Sequence, residues 1–190
     1  MVKTPTIGDI KKQTRNFLRI LDEFPEFRFI GDPVLRKKTT PVTLKEGLEI
    51  GLKLEKLLTS FRKITGSVEG LAAPQIGLSK SVFVVRLEGK LVYFINPKIV
   101  SKAVHGNYCR EFCVSCGLVW PDVKRPETIN IQWKDNDGNS QEKEFTGPSA
   151  RLVQHEFDHL LGIPNIDRAE RGTIEICSTD PLDEKLRTNL

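Results

Sequence analysis

The segment SARLVQHEFDHLLG, residues 149–162, constrains the fold of this 190-residue chain more than any other segment. Its apolar residues recur three and four positions apart, which is the period of a helix with one buried face. His155 and His159 lie four residues apart, so both imidazoles project from the same side of such a helix. The segment therefore predicts an amphipathic helix that carries two histidines on one face and ends at Gly162.

Two imidazoles at this spacing can bind one metal ion, and a glutamate directly after the first of them can reach a water molecule on that metal. Glu156 occupies this position, which completes an HExxH pattern with His155 and His159. The chain has 3 histidines, and two of them fall in this pattern, so a chance match is the weaker interpretation. We predict a metal-dependent hydrolase in which Glu156 moves the proton.

A tetrahedral catalytic metal needs a third protein ligand and keeps its fourth position for water. Cys113 is the best candidate, because a thiol bound to a metal is deprotonated. His105 lies in a polar turn, and Asp158 is offset from the two histidines on the helix. A buried structural thiol is nevertheless the commoner role for such a cysteine. A structural zinc site that also uses Cys109 and Cys116 is a further alternative, so the residues alone leave the third ligand open.

The remaining periodic segments predict a single domain of the α+β class. Apolar residues recur at helical spacing over residues 44–64. Residues 81–87 and 90–100 are rich in β-branched and aromatic side chains and predict a hairpin, and residues 127–135 and 142–147 predict a second one across a DNDG turn. We therefore expect antiparallel or mixed β-sheets packed around a central HExxH helix.

Composition excludes several classes of protein. The 29 Lys and Arg residues are interleaved with 25 Asp and Glu residues, so no basic stripe predicts a nucleic-acid site. No apolar run reaches the roughly 18 residues of a membrane span, and the N-terminus lacks the apolar segment of a secretory signal. A cytoplasmic location is the expectation. The basic residues of segment 1–21 leave a mitochondrial or plastid targeting segment as the alternative to an amphipathic surface helix.

Three segments, taken in order, resemble the peptide deformylases, which remove the formyl group from the N-terminal methionine of new polypeptides. They are GLAAPQIG at 70–77, EFCVSCG at 111–117 and QHEFDH at 154–159. Shorter matches extend the similarity over residues 30–170. The resemblance implies a deformylase-like catalytic domain at 30–170, an N-terminal extension at 1–29 that we expect to be helical, and a C-terminal tail at 171–190.

The resemblance supplies the third ligand and the identity of the metal. Residue by residue, it implies that Cys113, His155 and His159 bind one divalent metal ion and that Glu156 is the general acid and base. It implies ferrous iron as the metal, with zinc, nickel or cobalt as substitutes. Two imidazoles and one thiolate suit all four ions, so this donor set does not select among them.

The resemblance also implies how the substrate is bound. The side chain of Gln75 and the backbone N–H of Val114 would stabilise the oxyanion. The peptide backbone would pair with Glu69, Gly70 and Leu71. The expected partners are formylmethionyl peptides and nascent chains, together with the ribosome surface, and neither a nucleic-acid site nor a membrane is expected.

This chain departs from the family pattern on the substrate side. Phe112 and Val114 replace a glycine and a leucine beside the metal cysteine, and Val68 and Glu69 replace a glycine and an isoleucine in the first motif. Phe112 is expected to contact substrate, and Glu69 would place a carboxylate where an apolar side chain normally lies. These departures leave two alternatives, a metal amidase acting on another N-acylated peptide and a catalytically weak deformylase-like binding protein. A cysteine hydrolase is disfavoured, since Glu156 would have no role in it.

Overall fold

Three α-helices are present in the computed structural model, which describes residues 6–176. They are α1 (Ile7–Glu23), α2 (Leu44–Thr65) and α3 (Gly147–Leu160). The predicted helices at 44–64 and 149–162 are therefore confirmed as α2 and α3. Within the described residues, no helix combines the length and the apolar character needed to cross a bilayer. The first five residues, Cys177 and the rest of the tail from 177 to 190 lie outside the described part of the chain.

The described chain also contains four short 3-10 helices and nine strands. The 3-10 helices are Pro33–Arg36, Ala73–Ile76, Val114–Cys116 and Asn165–Arg168. The strands are β1 (Gly70–Ala72), β2 (Val82–Leu87), β3 (Lys90–Lys102), β4 (Gly106–Arg110), β5 (Val119–Trp120), β6 (Asp122–Pro126), β7 (Thr128–Lys134), β8 (Ser140–Thr146) and β9 (Glu175–Ile176).

The strands form one large sheet and two small ones. The large sheet has the order β1-β2-β3-β7-β8, whereas β4 pairs with β6 and β5 pairs with β9. All six of these strand pairs are antiparallel. Both predicted hairpins are present, as β2–β3 and β7–β8, so the expected α+β class is confirmed.

The large sheet lies between two hydrophobic clusters, and its strand β2 is buried on both faces over residues 82–85. Along β2, Val82 and Val84 belong to the cluster that includes α2, whereas Phe83 and Val85 belong to the cluster that includes α3. This alternation is the two-residue period of a strand. Helix α3 therefore packs on one face of the sheet, and it also reaches β6, where Gln154 donates a hydrogen bond to the carbonyl of Pro126.

Helix α1 belongs to the same core as α2. Ile20 is only 1% exposed. The ring of Phe24 lies 4.9 Å from that of Phe61 in α2, and the ring of Phe17 lies 5.2 Å from that of Phe29. Both pairs are edge-to-face contacts, which add to the free energy gained from burial. One side of α1 is thus part of the main hydrophobic cluster.

Candidate metal centre

Cys113, His155 and His159 converge beside α3, and we call these three residues the ligand cluster. Their ligand atoms all lie within 4.8 Å of one another, and Cys113 Sγ is 3.4 Å from His159 Nε2. The two histidine rings stand 5.3 Å apart on α3, whereas Cys113 follows β4 and precedes the 3-10 helix Val114–Cys116. Because metal–ligand bonds to sulfur and nitrogen are about 2.0–2.3 Å long, one ion can reach all three atoms.

A carboxylate behind the cluster orients His155. Glu111 Oε2 lies 2.9 Å from His155 Nδ1, and Arg125 donates hydrogen bonds to both oxygens of Glu111, at 2.5 and 2.9 Å. Burial alone would raise the pKa of Glu111, but Arg125 and the hydrogen bond from His155 lower this pKa well below its usual range. An ionised Glu111 makes Nδ1 the protonated nitrogen of His155. The opposite nitrogen, Nε2, is then free to bind a metal.

His159 and Glu156 are two further buried ionisable groups of this centre. Burial lowers the pKa of His159 well below its usual value, which keeps the imidazole neutral, as a metal ligand must be. Burial raises the pKa of Glu156 to about 7. Glu156 Oε2 is buried without a hydrogen-bond partner in the described chain. One carboxylate oxygen is thus available to a water molecule or a substrate at the ligand cluster.

Gly70 makes room for this carboxylate. A Cβ atom added at Gly70 would lie 2.8 Å from Cγ and Cδ of Glu156 and closer still to Oε1. These separations are below van der Waals contact, so any larger residue at position 70 would displace the Glu156 side chain. The glycine expected here for close approach of the peptide is therefore also needed for the position of Glu156.

Gly70→Ala should reduce turnover while the fold is retained. The strand backbone at Gly70 accepts alanine, but the added methyl group overlaps the buried Glu156 side chain, so we expect the free energy of unfolding to fall by about 1–3 kcal/mol. The Glu156 carboxylate must shift to relieve the overlap. A misplacement of about 1 Å in a catalytic site can lower the rate about 100-fold. Rate and thermal unfolding measurements on the same preparation would test this. The control is Gly8→Ala in α1, where the nearest atom is 3.5 Å from the added Cβ. Unchanged turnover in Gly70→Ala would show that Glu156 tolerates the displacement.

Gln75 and Val114, which were expected to stabilise the oxyanion, lie beside the ligand cluster. Gln75 Oε1 accepts a hydrogen bond from the N–H of Ala72 at 2.8 Å, which fixes the amide. Its Nε2 donates to Ser115 Oγ at 3.0 Å and lies 3.9 Å from Cys113 Sγ. Val114 begins a 3-10 helix, so its N–H belongs to a first turn that has no partner inside the helix. Both groups can donate hydrogen bonds close to the cluster.

An open cleft with a volume of about 600 Å³ leads to the ligand cluster. Glu69, Gly70 and Phe112 line this cleft, together with Glu156. Leu71 is fully buried in the core behind it. Its side chain therefore belongs to the hydrophobic cluster rather than to the cleft wall.

Strand β1 forms one edge of the large sheet. The carbonyl of Glu69 accepts a hydrogen bond from the N–H of Arg86 at 2.7 Å, so the backbone groups of Glu69 face β2. In an antiparallel pair the direction of these groups alternates. Leu71, opposite Val84, therefore also faces β2, whereas the N–H and C=O of Gly70 point to the free edge. Among the three predicted positions, Gly70 has the backbone groups suited to pairing with a peptide.

Glu69 is not an isolated charge in the cleft. Its carboxylate is paired with Arg62 of α2, and its Oε2 lies 3.6 Å from Nε of Arg86. The carboxylate was expected to face substrate in place of an apolar side chain. Both arginines pair with it, so the cleft presents an ion-paired cluster at this point.

The ring of Phe112 packs 4.9 Å from that of Trp120. The side chain is partly buried against the main core while still lining the cleft. This contact with Trp120 holds the ring at the cleft wall. The ring, which stands where the sequence resemblance implies a glycine, is therefore partly buried in the protein interior.

Two alternative ligands considered from the sequence lie away from the cluster. His105 is exposed. Asp158 accepts hydrogen bonds from Arg125 at 2.7 Å and from Arg168 at 2.5 Å, so its carboxylate is already neutralised by arginines. Cys113 is the one cysteine of the described chain that belongs to a group able to hold a metal. This grouping does not support a structural zinc site built from three cysteines.

Two interactions of the centre, one made by Cys116 and one by Arg151, were not predicted from the sequence. Cys116 is a buried free thiol whose interaction with Cys113 lowers the pKa of Cys116 and raises that of Cys113. The CxxC spacing of these two residues could have indicated that their thiols interact. Arg151 donates a hydrogen bond to Glu111 at 2.7 Å. Its position four residues before His155 places it on the same helix face, but its partner comes from a distant segment.

This chain is similar to known proteins over most of its length. A family model described as polypeptide deformylase matches residues 26–174. A peptide deformylase from Pseudothermotoga lettingae is 39% identical over 142 residues, which cover 75% of this chain and 81% of that protein. One from Thermotoga maritima is 36% identical over 141 residues, covering 74% of this chain and 84% of the relative.

Solved structures give the same result. The crystal structure of the peptide deformylase from Thermotoga maritima matches with a TM-score of 0.69 at 35% identity, over 76% of this chain and 96% of that one. The enzyme from Synechococcus elongatus, in complex with actinonin, matches with a TM-score of 0.66 at 35% identity, over 77% of this chain and 79% of that one. The region matched by the family model contains the whole ligand cluster and Glu156.

Proposed function

This chain belongs to the peptide deformylase family, metal-dependent hydrolases that remove the N-formyl group from formylmethionyl polypeptides, and we propose that Glu156 moves the proton in this reaction at a metal held by the ligand cluster. The observation that carries the proposal is the position of Glu156. Its carboxylate is buried beside the cluster with Oε2 unpartnered in the described chain, and burial raises its pKa to about 7. A group with a pKa near neutrality can both accept and return a proton.

The ligand cluster fits one divalent ion, since its three donor atoms are close together and the imidazole of His155 is oriented by Glu111. A metal bound there would acidify a water molecule and polarise the formyl oxygen. We propose ferrous iron, as the family resemblance implies, and zinc, nickel or cobalt as substitutes, since one thiolate and two imidazoles accept each of these ions.

The protein's own groups supply the rest of the reaction. Glu156 accepts a proton from the attacking water and returns it to the amine that leaves as the formyl C–N bond breaks. The Nε2 group of Gln75 and the N–H of Val114 donate hydrogen bonds to the oxyanion that forms on the formyl oxygen. The products are formate and a free methionine amine.

The peptide binds along the free edge of β1. Its backbone pairs with the N–H and C=O of Gly70, which point away from β2, and thus adds a strand to the sheet. Leu71 supports this strand from the core, and Glu69 and Phe112 form parts of the cleft wall. The substrate residues that follow the methionine would then pass the ion-paired cluster around Glu69.

A second candidate is a metal amidase that acts on another N-acylated peptide. Phe112 favours it, because a ring at the cleft wall stands where the family has a glycine. The two candidates use the same metal and the same proton transfer. They differ in which acyl group is cleaved fastest.

Release of formate and of acetate from matched peptides would distinguish these candidates. Protein prepared anaerobically with ferrous iron should release formate from a formyl-Met peptide and cleave the acetyl-Met peptide much more slowly. A chelator should abolish the release, and added metal should restore it. Equal rates on the two peptides would favour the broader amidase, and full activity in the presence of chelator would contradict a metal-dependent reaction.

Nascent chains that begin with formylmethionine are the proposed physiological substrates, in the cytoplasm. The ribosome surface is a proposed partner for the same reason, since such chains emerge there. The mitochondrial or plastid location suggested by the basic N-terminal segment stays a prediction.

A further inference from the structure

The ligand cluster is assembled from two separate parts of the fold. His155 and His159 lie on α3, whereas Cys113 follows β4, whose partner strand is β6. The thiol and the imidazoles can bind the same ion only if the β4–β6 pair is held at a fixed distance from α3. Contacts that join these parts therefore control the geometry of the cluster.

Arg151 makes such a connection on the side of the cleft. From α3, its Nη1 donates to Glu111 Oε1 at 2.7 Å and to the carbonyl of Val123 in β6 at 2.9 Å. Its Nη2 donates to both the carbonyl and the side-chain oxygen of Asn107 in β4, each at 2.7 Å. One guanidinium thus joins α3 to both strands of the small sheet and to the carboxylate that orients His155.

The chemistry of these contacts requires an arginine. The Arg151 guanidinium is planar and donates its four hydrogen bonds in two directions. A lysine ammonium cannot reproduce this geometry. Arg125 binds the same Glu111 carboxylate from the interior and also joins Asp158 of α3. Arg151 is the corresponding connection at the wall of the cleft, where its side chain is 15% exposed.

We propose that Arg151 is a positioning residue that sets the geometry of the metal site. It holds Glu111 against His155 and fixes the segment carrying Cys113 relative to α3. The proposal rests on the ligand set given under the proposed function, and it adds a residue that contacts neither the metal nor the reacting atoms. Loss of Arg151 should therefore weaken metal binding while the fold is retained.

Titration of metal-free protein with Co²⁺ would test this role, because thiolate and imidazole ligands give cobalt a characteristic absorption spectrum. Arg151→Met keeps the apolar stem and removes the hydrogen bonds, and should raise the dissociation constant for Co²⁺ 10–100-fold, the usual effect of losing a group that orients a ligand. The melting temperature of the metal-free variant reports separately on the fold. Asn107→Ala, which removes one acceptor of the guanidinium, should weaken cobalt binding less.

The matched control is Arg36→Met, since Arg36 forms an ion pair with Asp167 that also joins distant segments but lies outside the ligand cluster. It should bind Co²⁺ like the wild type.

Arg151→Met with wild-type affinity and spectrum would overturn the role of Arg151 and leave the ligand set intact. Wild-type protein that binds no Co²⁺ would instead overturn the ligand set itself, and the role of Arg151 with it. If Arg151→Met does not fold, unchanged binding by Asn107→Ala would overturn the proposal.

Discussion

Glu156→Gln should lower kcat/KM for a formyl-Met peptide by about 100- to 10,000-fold, the usual contribution of a positioned acid or base. The substitution keeps the size of the side chain and its place against Gly70 but removes the group that accepts and returns the proton. The ligand cluster is unchanged, so metal affinity should stay close to that of the wild type. The expected result is a folded, metal-loaded protein with little activity.

Formate release and metal content should be measured on the same preparations of wild type and variant. The control is Glu144→Gln, which makes the same change at an exposed position on β8 and should leave the rate unaltered. Wild-type turnover by Glu156→Gln with full metal content would remove Glu156 from the mechanism. Loss of metal together with loss of activity would mean that Glu156 supports the site rather than the proton transfer.

Cys113→Ala should abolish metal binding, whereas Cys116→Ala should not. Both substitutions remove a buried thiol from the same turn, but only Cys113 has its sulfur within the ligand cluster. Removing a direct ligand should weaken binding by more than the roughly 10–100-fold typical of a residue that orients a ligand. Formate release by Cys113→Ala should accordingly fall to the level of chelated wild type.

Metal affinity measured by competition with a chelator would test this pair of variants. Cys116→Ala controls for loss of a thiol and for the small cavity that results in each case. Retention of metal by Cys113→Ala and its loss by Cys116→Ala would assign the thiolate ligand to Cys116. Retention by both variants would mean that neither thiol is needed, which would contradict the proposed site.

Spacing along one helix made part of the metal centre predictable. An i, i+4 pair of histidines must share a face of α3 whatever the rest of the chain does, so His155 and His159 follow from the sequence. The third ligand does not follow in this way. Cys113 lies more than forty residues earlier, and its distance to the histidines depends on how β4 packs beside α3. Only the family resemblance identified it in advance.

The surroundings of the centre were less predictable, because they depend on contacts between distant segments. Glu111 pairs with Arg125 and lies within hydrogen-bond distance of His155 Nδ1, and the second of these contacts was not foreseen from the sequence. Glu69 was expected to place a carboxylate on the substrate side, and its pairing with Arg62 and Arg86 was not predicted because these partners come from α2 and β2. A local pattern contains no information about which charges a tertiary fold brings together.

Helix α1 has a consequence for where this enzyme can be shortened. The family match begins at residue 26, after α1 has ended at Glu23. Yet Ile20 of α1 is buried in the main core. The ring of Phe17, also in α1, packs against Gly117, since a Cβ atom added to this glycine would lie 3.2 Å from the ring. The region matched by the family model and the hydrophobic core thus have different boundaries. A truncated enzyme that starts at the family boundary would lose part of its core and the support beneath the turn that follows Cys113.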